Sequence, residues 1–322
     1  MIAPPGALAP YVIPNGPSTA GIPAITLHPT QSGTLFIGTV NRGIFKSSDC
    51  GATWTHMNNG TNGAQLDSGG VNVLIDPDHP DTMYATIGYG SLSLWKSTNG
   101  GVDWIENSGS KAFDYRFVES LAMDPNDPLH LVLSPHAKCL SPQPPACMGE
   151  STDGGATWRY FAAPAWIEGS FIRIFGRKTW VMPSAFSSNV QITLDAGATW
   201  NAVDVSHAAT ALAAYYLPSP FGVITSADGI AWSPLANSPH VPNAVLSDTK
   251  LFACDQWTPQ CLSAPKNDPT SWSALVAPTE LVAAKAGLTS MVYDAGHKLL
   301  YVSTIDGSAP GFSGGLWRTV PN

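Results

Sequence analysis

Ser151-Thr152-Asp153-Gly154-Gly155-Ala156-Thr157-Trp158 decides the fold, because the same phrase returns along the chain. Upstream it reads Ser47-Ser48-Asp49-Cys50-Gly51-Ala52-Thr53-Trp54 and Ser97-Thr98-Asn99-Gly100-Gly101-Val102-Asp103-Trp104. Downstream, Thr193-Leu194-Asp195-Ala196-Gly197-Ala198-Thr199-Trp200 keeps it with Thr for Ser, and Ser226-Ala227-Asp228-Gly229-Ile230-Ala231-Trp232 is one residue shorter. A sixth copy keeps little beyond Asp268 and Trp272. A repeat of this kind outranks any local propensity. Its spacing has a physical cause: Asp can accept backbone N–H groups of its own turn, Gly supplies a backbone angle that other residues resist, and Trp returns to pack on the next layer. The residues Asp49, Trp54, Asn99, Trp104, Asp153, Trp158, Asp195, Trp200, Asp228 and Trp232 are therefore read as holding turns together, not as chemistry.

Working outward, each copy is preceded by an apolar strand, a turn and a second strand. Ile25-Thr26-Leu27-His28-Pro29 runs to Leu35-Phe36-Ile37-Gly38, Val73-Leu74-Ile75-Asp76-Pro77 to Met83-Tyr84-Ala85-Thr86, and Leu121-Ala122-Met123-Asp124-Pro125 to Leu131-Val132-Leu133. Each unit is then a four-stranded meander, and repetition of such units fits propeller blades, whose radial packing leaves only short edges. The expectation is one all-β domain over 1–322, a seven-bladed β-propeller with blades at about 24–60, 71–110, 119–163, 170–205, 210–236, 243–276 and 288–320. A closing strand at 8–14, around Tyr11-Val12-Ile13, supplies the outer strand that the last blade lacks. Six blades is the alternative, because the fifth unit is compressed. His28 and Asp76, each before Pro, are read as structural, and Cys50 as a small apolar residue packed inside its turn.

Composition agrees with short strands and tight turns: 30 Gly and 28 Pro in 322 residues, with only 12% charged. A net charge of −8 argues against a nucleic-acid partner, since phosphate binding by counterion release needs excess cations. No run of eighteen or more apolar residues suggests a membrane span, and Met1-Ile2-Ala3-Pro4-Pro5 lacks the basic and apolar regions of a signal peptide. Four of the five cysteines fall in close pairs, Cys139 with Cys147 and Cys254 with Cys261, each flanking a Pro-containing segment. They read as disulfide loop staples in a secreted or periplasmic protein, with two reduced cytosolic pairs as the alternative. Neither pair has the spacing of a structural zinc site. A monomer is expected, and no cofactor is required by any motif.

The pattern S-x-D-x-G-x-x-W resembles the Asp-box of sialidases, sortilin-like receptors, xyloglucanases and photosystem assembly factors. That resemblance places the repeated turns between the third and fourth strands, on the face opposite the ligand site. The ligand face then receives the loops between strands two and three and the links between blades. From the former come Asn41, Arg42, Tyr89, His136, Asp255, Trp257 and Asp306; from the latter Asp114, Tyr115, Arg116, Glu119, Trp166, Glu168, His207 and His240. Carboxylates and an imidazole make Asp114, Glu119, Glu168 and His240 the expected catalytic groups, by general acid–base chemistry, and the remainder substrate contacts. Aromatic rings beside carboxylates suit a sugar, whose apolar faces stack and whose hydroxyls hydrogen-bond. His136, His207 and His240 form an alternative metal trio, which no ligand spacing supports.

The resemblance also separates the activities. Sialidases use three arginines, and this chain is Arg-poor and lacks their first-blade signature. The first unit, Ile37-Gly38-Thr39-Val40-Asn41-Arg42-Gly43, is similar to that of xyloglucanases, but Val40 stands where the resemblance implies a catalytic Asp, and those enzymes clasp substrate between two propellers. The basic patch of the photosystem factors is not evident. The loops differ from blade to blade, which favours one asymmetric site over a repeated lectin pocket. The expected function is a hydrolase or lyase acting on a carbohydrate or related small molecule, with a glycan-binding protein or an assembly scaffold as alternatives.

Overall fold

The computed structural model describes residues 8–11, 21–67, 69–88, 93–136, 138–164, 171–183, 190–203, 215–219, 222–239, 243–255, 258–275, 282–283, 287–304 and 315–319. The protein is a seven-bladed propeller of antiparallel sheets. Sheet 1 is Ala24–Leu27, Leu35–Gly38, Ile44–Ser47 and Thr55–His56, and sheet 2 is Val71–Ile75, Met83–Ile87, Ser93–Ser97 and Ile105–Asn107. Val118–Asp124, Asp127–Pro135, Cys147–Ser151 and Arg159–Ala162 form sheet 3, and Arg173–Ile174, Trp180–Pro183, Val190–Thr193 and Asn201–Ala202 form sheet 4. Sheet 5 has three strands, Tyr215–Ser219, Gly222–Ser226 and Ser233–Pro234. Sheet 6 is Asn243–Leu246, Lys250–Cys254, Cys261–Pro265 and Ser273–Ala274. Sheet 7 combines Leu288–Asp294, Leu299–Thr304 and Gly315–Thr319 with Leu8–Tyr11 from the other end of the chain. The six-bladed alternative is thereby set aside.

The second strands are buried on both faces, as in Met83–Ile87 and Leu299–Thr304, because a sheet presses on each side. Between successive sheets lies an apolar cluster, one for each of the seven seams. The seam of sheets 7 and 1 is packed like the others, with Leu299, Tyr301 and Leu316 against Ile25, Leu35 and Ile37. The ring is also closed by backbone pairing: Leu8 lies opposite Thr319 and Tyr11 opposite Leu316. Tyr11 belongs to this strand; Val12 and Ile13 lie outside the described residues.

All five legible copies of the repeated turn fold alike. The Ser or Thr hydroxyl donates to the Asp or Asn side chain and accepts the Gly N–H, as in Ser151 Oγ to Asp153 Oδ1 at 2.8 Å and Gly155 N to Ser151 Oγ at 2.8 Å. Ser47, Ser97, Thr193 and Ser226 repeat both bonds. Asp153 also accepts Thr157 N and Thr157 Oγ1, at 2.9 and 2.6 Å. The Thr hydroxyl, followed by the Thr backbone N–H, pulls Asp49, Asp153 and Asp195 down to about 2. Each of these carboxylates accepts three hydrogen bonds from its own turn, and so fixes its shape.

Register sorts the two faces of the ring. In sheet 3, Val118 pairs with Pro135 at one end and Asp124 with Asp127 at the other. The turn that carries Asp153 joins the third and fourth strands at the Asp124 end, so Glu119 and His136 stand at the opposite end. That opposite end is called the mouth below.

Candidate functional site

The described part of the mouth is best formed where sheet 3 meets sheet 2. The disulfide Cys139–Cys147 closes the loop between the second and third strands of sheet 3, as expected from the sequence, and Cys254–Cys261 does the same in sheet 6. Residues 112–114 lean on the first of these staples. Leu140 N donates to Ala112 O at 2.7 Å, Asp114 N to Lys138 O at 2.9 Å, and Phe113 bridges Cys139. Phe113 itself is fully buried against the edge of Tyr160. A link between blades is thus held by a covalent loop and a buried ring.

On that base, Asp114–Arg116 form a single 3-10 turn in which Tyr115 and Arg116 both take φ of 55°. Left-handed backbone costs an ordinary residue roughly 1–2 kcal/mol, and here it turns the Tyr115 ring outward, 74% exposed. Arg116 pairs with Glu106, which also accepts Ser93 Oγ at 2.8 Å. Phe117 stacks on His136, with ring centroids 4.1 Å apart and planes 17° apart. His136 Nδ1 in turn meets Glu119 Oε2, and both side chains are largely sheltered. His136 N donates to Phe117 O at 3.0 Å, which fixes the imidazole under the aromatic ring.

The arrangement has a clear chemical capacity. An imidazole held by a carboxylate can take a proton from a bound hydroxyl or return one, with the carboxylate balancing the charge that develops. Tyr115, exposed in the turn that leads into Phe117, offers a stacking face. Of the expected site residues, Asp114, Tyr115, Arg116, Glu119 and His136 converge on this one corner. Asn41 and Arg42 lie in the mouth-side loop of sheet 1, where Arg42 N donates to Thr39 Oγ1 at 3.0 Å. Asp255 lies in the mouth-side loop of sheet 6, its carboxylate accepting Thr258 Oγ1 at 3.0 Å. Tyr89, Trp166, Glu168, His207, His240, Trp257 and Asp306 lie outside the described residues, and with them two members of the alternative metal trio.

Two participants were not among the sequence candidates. Phe117 stood between named residues in the chain, and an aromatic beside a carboxylate in an inter-blade link was the available signal. Glu106 carried no signal, because its meeting with Arg116 depends on how an outer strand of sheet 2 approaches the next link.

No family model matches the chain. A stretch of 105 residues, 32% of this chain, is 33% identical to a probable oligoxyloglucan-reducing end-specific xyloglucanase from Neosartorya fischeri. That stretch spans only 12% of the fungal protein. Among solved structures, the extracellular domain of a putative hybrid two component system from B. thetaiotaomicron aligns with a TM-score of 0.68 at 11% identity, covering 99% of this chain and 42% of that one. The GH74 xyloglucanase from Xanthomonas campestris aligns with a TM-score of 0.59 at 15% identity, covering 97% of this chain and 53% of that one. The structural likenesses are to the β-propeller fold.

Proposed function

We propose that this chain is an exported Asp-box propeller that acts on carbohydrate at its mouth, as a hydrolase or lyase working through carboxylate and imidazole groups. The observation that carries the reading is the Glu119–His136 pair, its imidazole stacked on Phe117, with Tyr115 exposed in the turn just before. Glu119 orients the imidazole, His136 exchanges the proton, Tyr115 stacks on a sugar ring, and the Arg116–Glu106 pair binds hydroxyls. Asp114, Glu168 and His240 are the further proton-transfer candidates; Asn41, Arg42, Tyr89, Trp166, His207, Asp255, Trp257 and Asp306 complete the proposed lining. The local identity to a protein named as a xyloglucanase supports a β-glucan as substrate. The two disulfides support export.

Val40 favours a second reading, because the resemblance implies a catalytic Asp there and the chain has none. In that reading the same mouth holds a glycan without cleaving it. Product analysis by mass spectrometry, on xyloglucan oligosaccharides and a panel of other glycans, separates the two. Cleavage that falls by about 10²–10⁴ in Glu119→Gln, the usual weight of a positioned acid–base group, supports an enzyme at this corner. Binding without cleavage supports the second reading. Cleavage unchanged in Glu119→Gln and His136→Gln overturns the assignment of the chemistry to this pair.

A further inference from the structure

On the face opposite the mouth, at the seam that closes the ring, three chemically different ligating groups come together. Cys50 belongs to the repeated turn of sheet 1, and Asp294 and His297 to the first turn of sheet 7. Their ligand atoms lie within 4.8 Å of one another. His297 Nδ1 is 3.0 Å from Asp294 Oδ2 and 2.7 Å from Ser32 Oγ, and Ser32 Oγ donates to Asp294 Oδ1 at 2.6 Å. Gly33 N donates to Asp294 Oδ2 at 2.8 Å.

Two further observations separate this cluster from an ordinary surface group. The first is the backbone under Cys50. Its φ is 58°, and the equivalent positions in sheets 2, 3 and 4 are Gly100 at 72°, Gly154 at 66° and Ala196 at 59°. A side chain with a Cβ gains nothing from that conformation and pays strain for it. Ala196 shows that the turn accepts a Cβ there; what Cys50 adds is a sulfur within reach of Asp294 and His297. The second is Gly33. A Cβ on it would stand 2.9 Å from His297 Cε1 and 3.0 Å from Cys50 Sγ, and its φ is +77°. A side chain there would push the imidazole or the thiol aside, so Gly33 leaves room for the two to approach each other. Meanwhile the other four cysteines are oxidised in disulfides, whereas Cys50 remains a thiol.

We propose that Cys50, His297 and Asp294 form a binding site for a borderline-soft divalent cation of the zinc class, which staples sheet 7 to sheet 1. Thiolate, imidazole and carboxylate are together the donor set of zinc, and a tetrahedral ion would draw sulfur and nitrogen to about 3.5 Å apart. The side chain of His297, about half exposed, supplies that adjustment. Asp294 is 4% exposed and arrives with its geometry fixed by Ser32, Gly33 and Gly296. Three protein donors leave one position for water. Binding releases the thiol proton of Cys50, so affinity weakens as pH falls.

The turn itself supplies a test variant that keeps the fold, because Cys50→Gly restores the residue found in sheets 2 and 3. Chelator-stripped full-length protein is titrated with zinc by calorimetry and with cobalt by absorption spectroscopy. The proposal expects one equivalent of zinc bound, a thiolate-to-cobalt charge-transfer band, and alkylation of Cys50 by iodoacetamide slowed at least about tenfold by zinc. It expects affinity to fall at least about a hundredfold in both Cys50→Gly and His297→Ala, with thermal melting raised by zinc in the parent protein alone. Zinc affinity unchanged in Cys50→Gly, no charge-transfer band, or alkylation insensitive to zinc would each overturn it. Rapid alkylation without metal binding would identify the thiol–imidazole pair as a reactive nucleophile instead.

Discussion

Two histidine–aspartate pairs stand at the same end of the ring and have opposite characters. In sheet 3, His130 is fully buried, with Nδ1 3.2 Å from Asp124 Oδ2 and Nε2 3.0 Å from Glu150 Oε1. Glu150 continues to Arg159, whose guanidinium lies over Phe161. In sheet 7, His297 is exposed, and beside its contacts to Asp294 and Ser32 stands the Cys50 thiol of the neighbouring sheet. The first histidine has both ring nitrogens committed to protein and no solvent around it. The second is half exposed and adjoins a thiol. Residue type alone equates the two; burial and bonding distinguish a histidine that builds the fold from one that can bind.

The largest effect that can break this comparison is on stability. His130→Ala leaves Asp124 buried without its imidazole partner and Glu150 with Arg159 alone, a change that costs about 3–5 kcal/mol. His297→Ala removes a half-exposed imidazole from an Asp294 that keeps its bonds from Ser32, Gly33 and Gly296, and should cost less than about 1 kcal/mol in the absence of metal. Equal losses in urea unfolding would erase the distinction.

The pH dependence sharpens it. Burial alone would lower the pKa of His130, but the hydrogen bonds it donates to Glu150 and Asp124 outweigh that and raise the value above 6.5. A raised value means that the contribution is fully present below pH 6.5 and is lost as pH rises through the folded pKa. Burial pushes the Glu150 carboxyl up, and its bonds to His130 and Arg159 more than reverse that, so its contribution appears above its ordinary value of 4.5 and is lost in acid. Melting temperature should therefore decline from mildly acidic toward alkaline pH in the parent and in His297→Ala. That decline should be weaker in His130→Ala.

Smaller differences follow at two seams with the same latch. Tyr84 Oη and Lys96 Nζ donate to Gly154 O at 2.8 and 2.7 Å, and Tyr301 Oη and Arg318 donate to Cys50 O at 3.3 and 3.0 Å. Burial, with the charges of Asp76 and Asp153 adding to it, pushes the Tyr84 phenol up to about 12. Tyr84→Phe should cost about 1 kcal/mol and Tyr301→Phe less, since the first bond is shorter and more buried. The smallest change expected is Cys50→Gly without metal, within about 1 kcal/mol, because relief of backbone strain offsets the added freedom of glycine. Denaturant melts of the three variants check the order.

How much of this was legible in the sequence depends on distance along the chain. The repeated turn closes within eight residues, and the bonds of its Ser and Asp side chains lie inside that span, so Asp153 and its counterparts announced the fold. The disulfides span seven and eight residues and were legible for the same reason. The corner of Glu119 and His136 was half legible: the faces could be sorted, while the stacking of Phe117 and the reach of Arg116 to Glu106 arise from blade packing. Cys50 borders the apolar cluster of its seam, as a small apolar residue inside its turn should. Its neighbours Asp294 and His297 lie more than 240 positions away, and only ring closure brings them together.

The claim that the mouth is the functional face is tested most directly by hydrogen–deuterium exchange with and without a xyloglucan oligosaccharide. The account predicts slowed exchange in residues 113–119 and around His136, with the turns at 47–54, 97–104 and 151–158 unchanged. Protection confined to those turns, with the Glu119 corner unaffected, would contradict it.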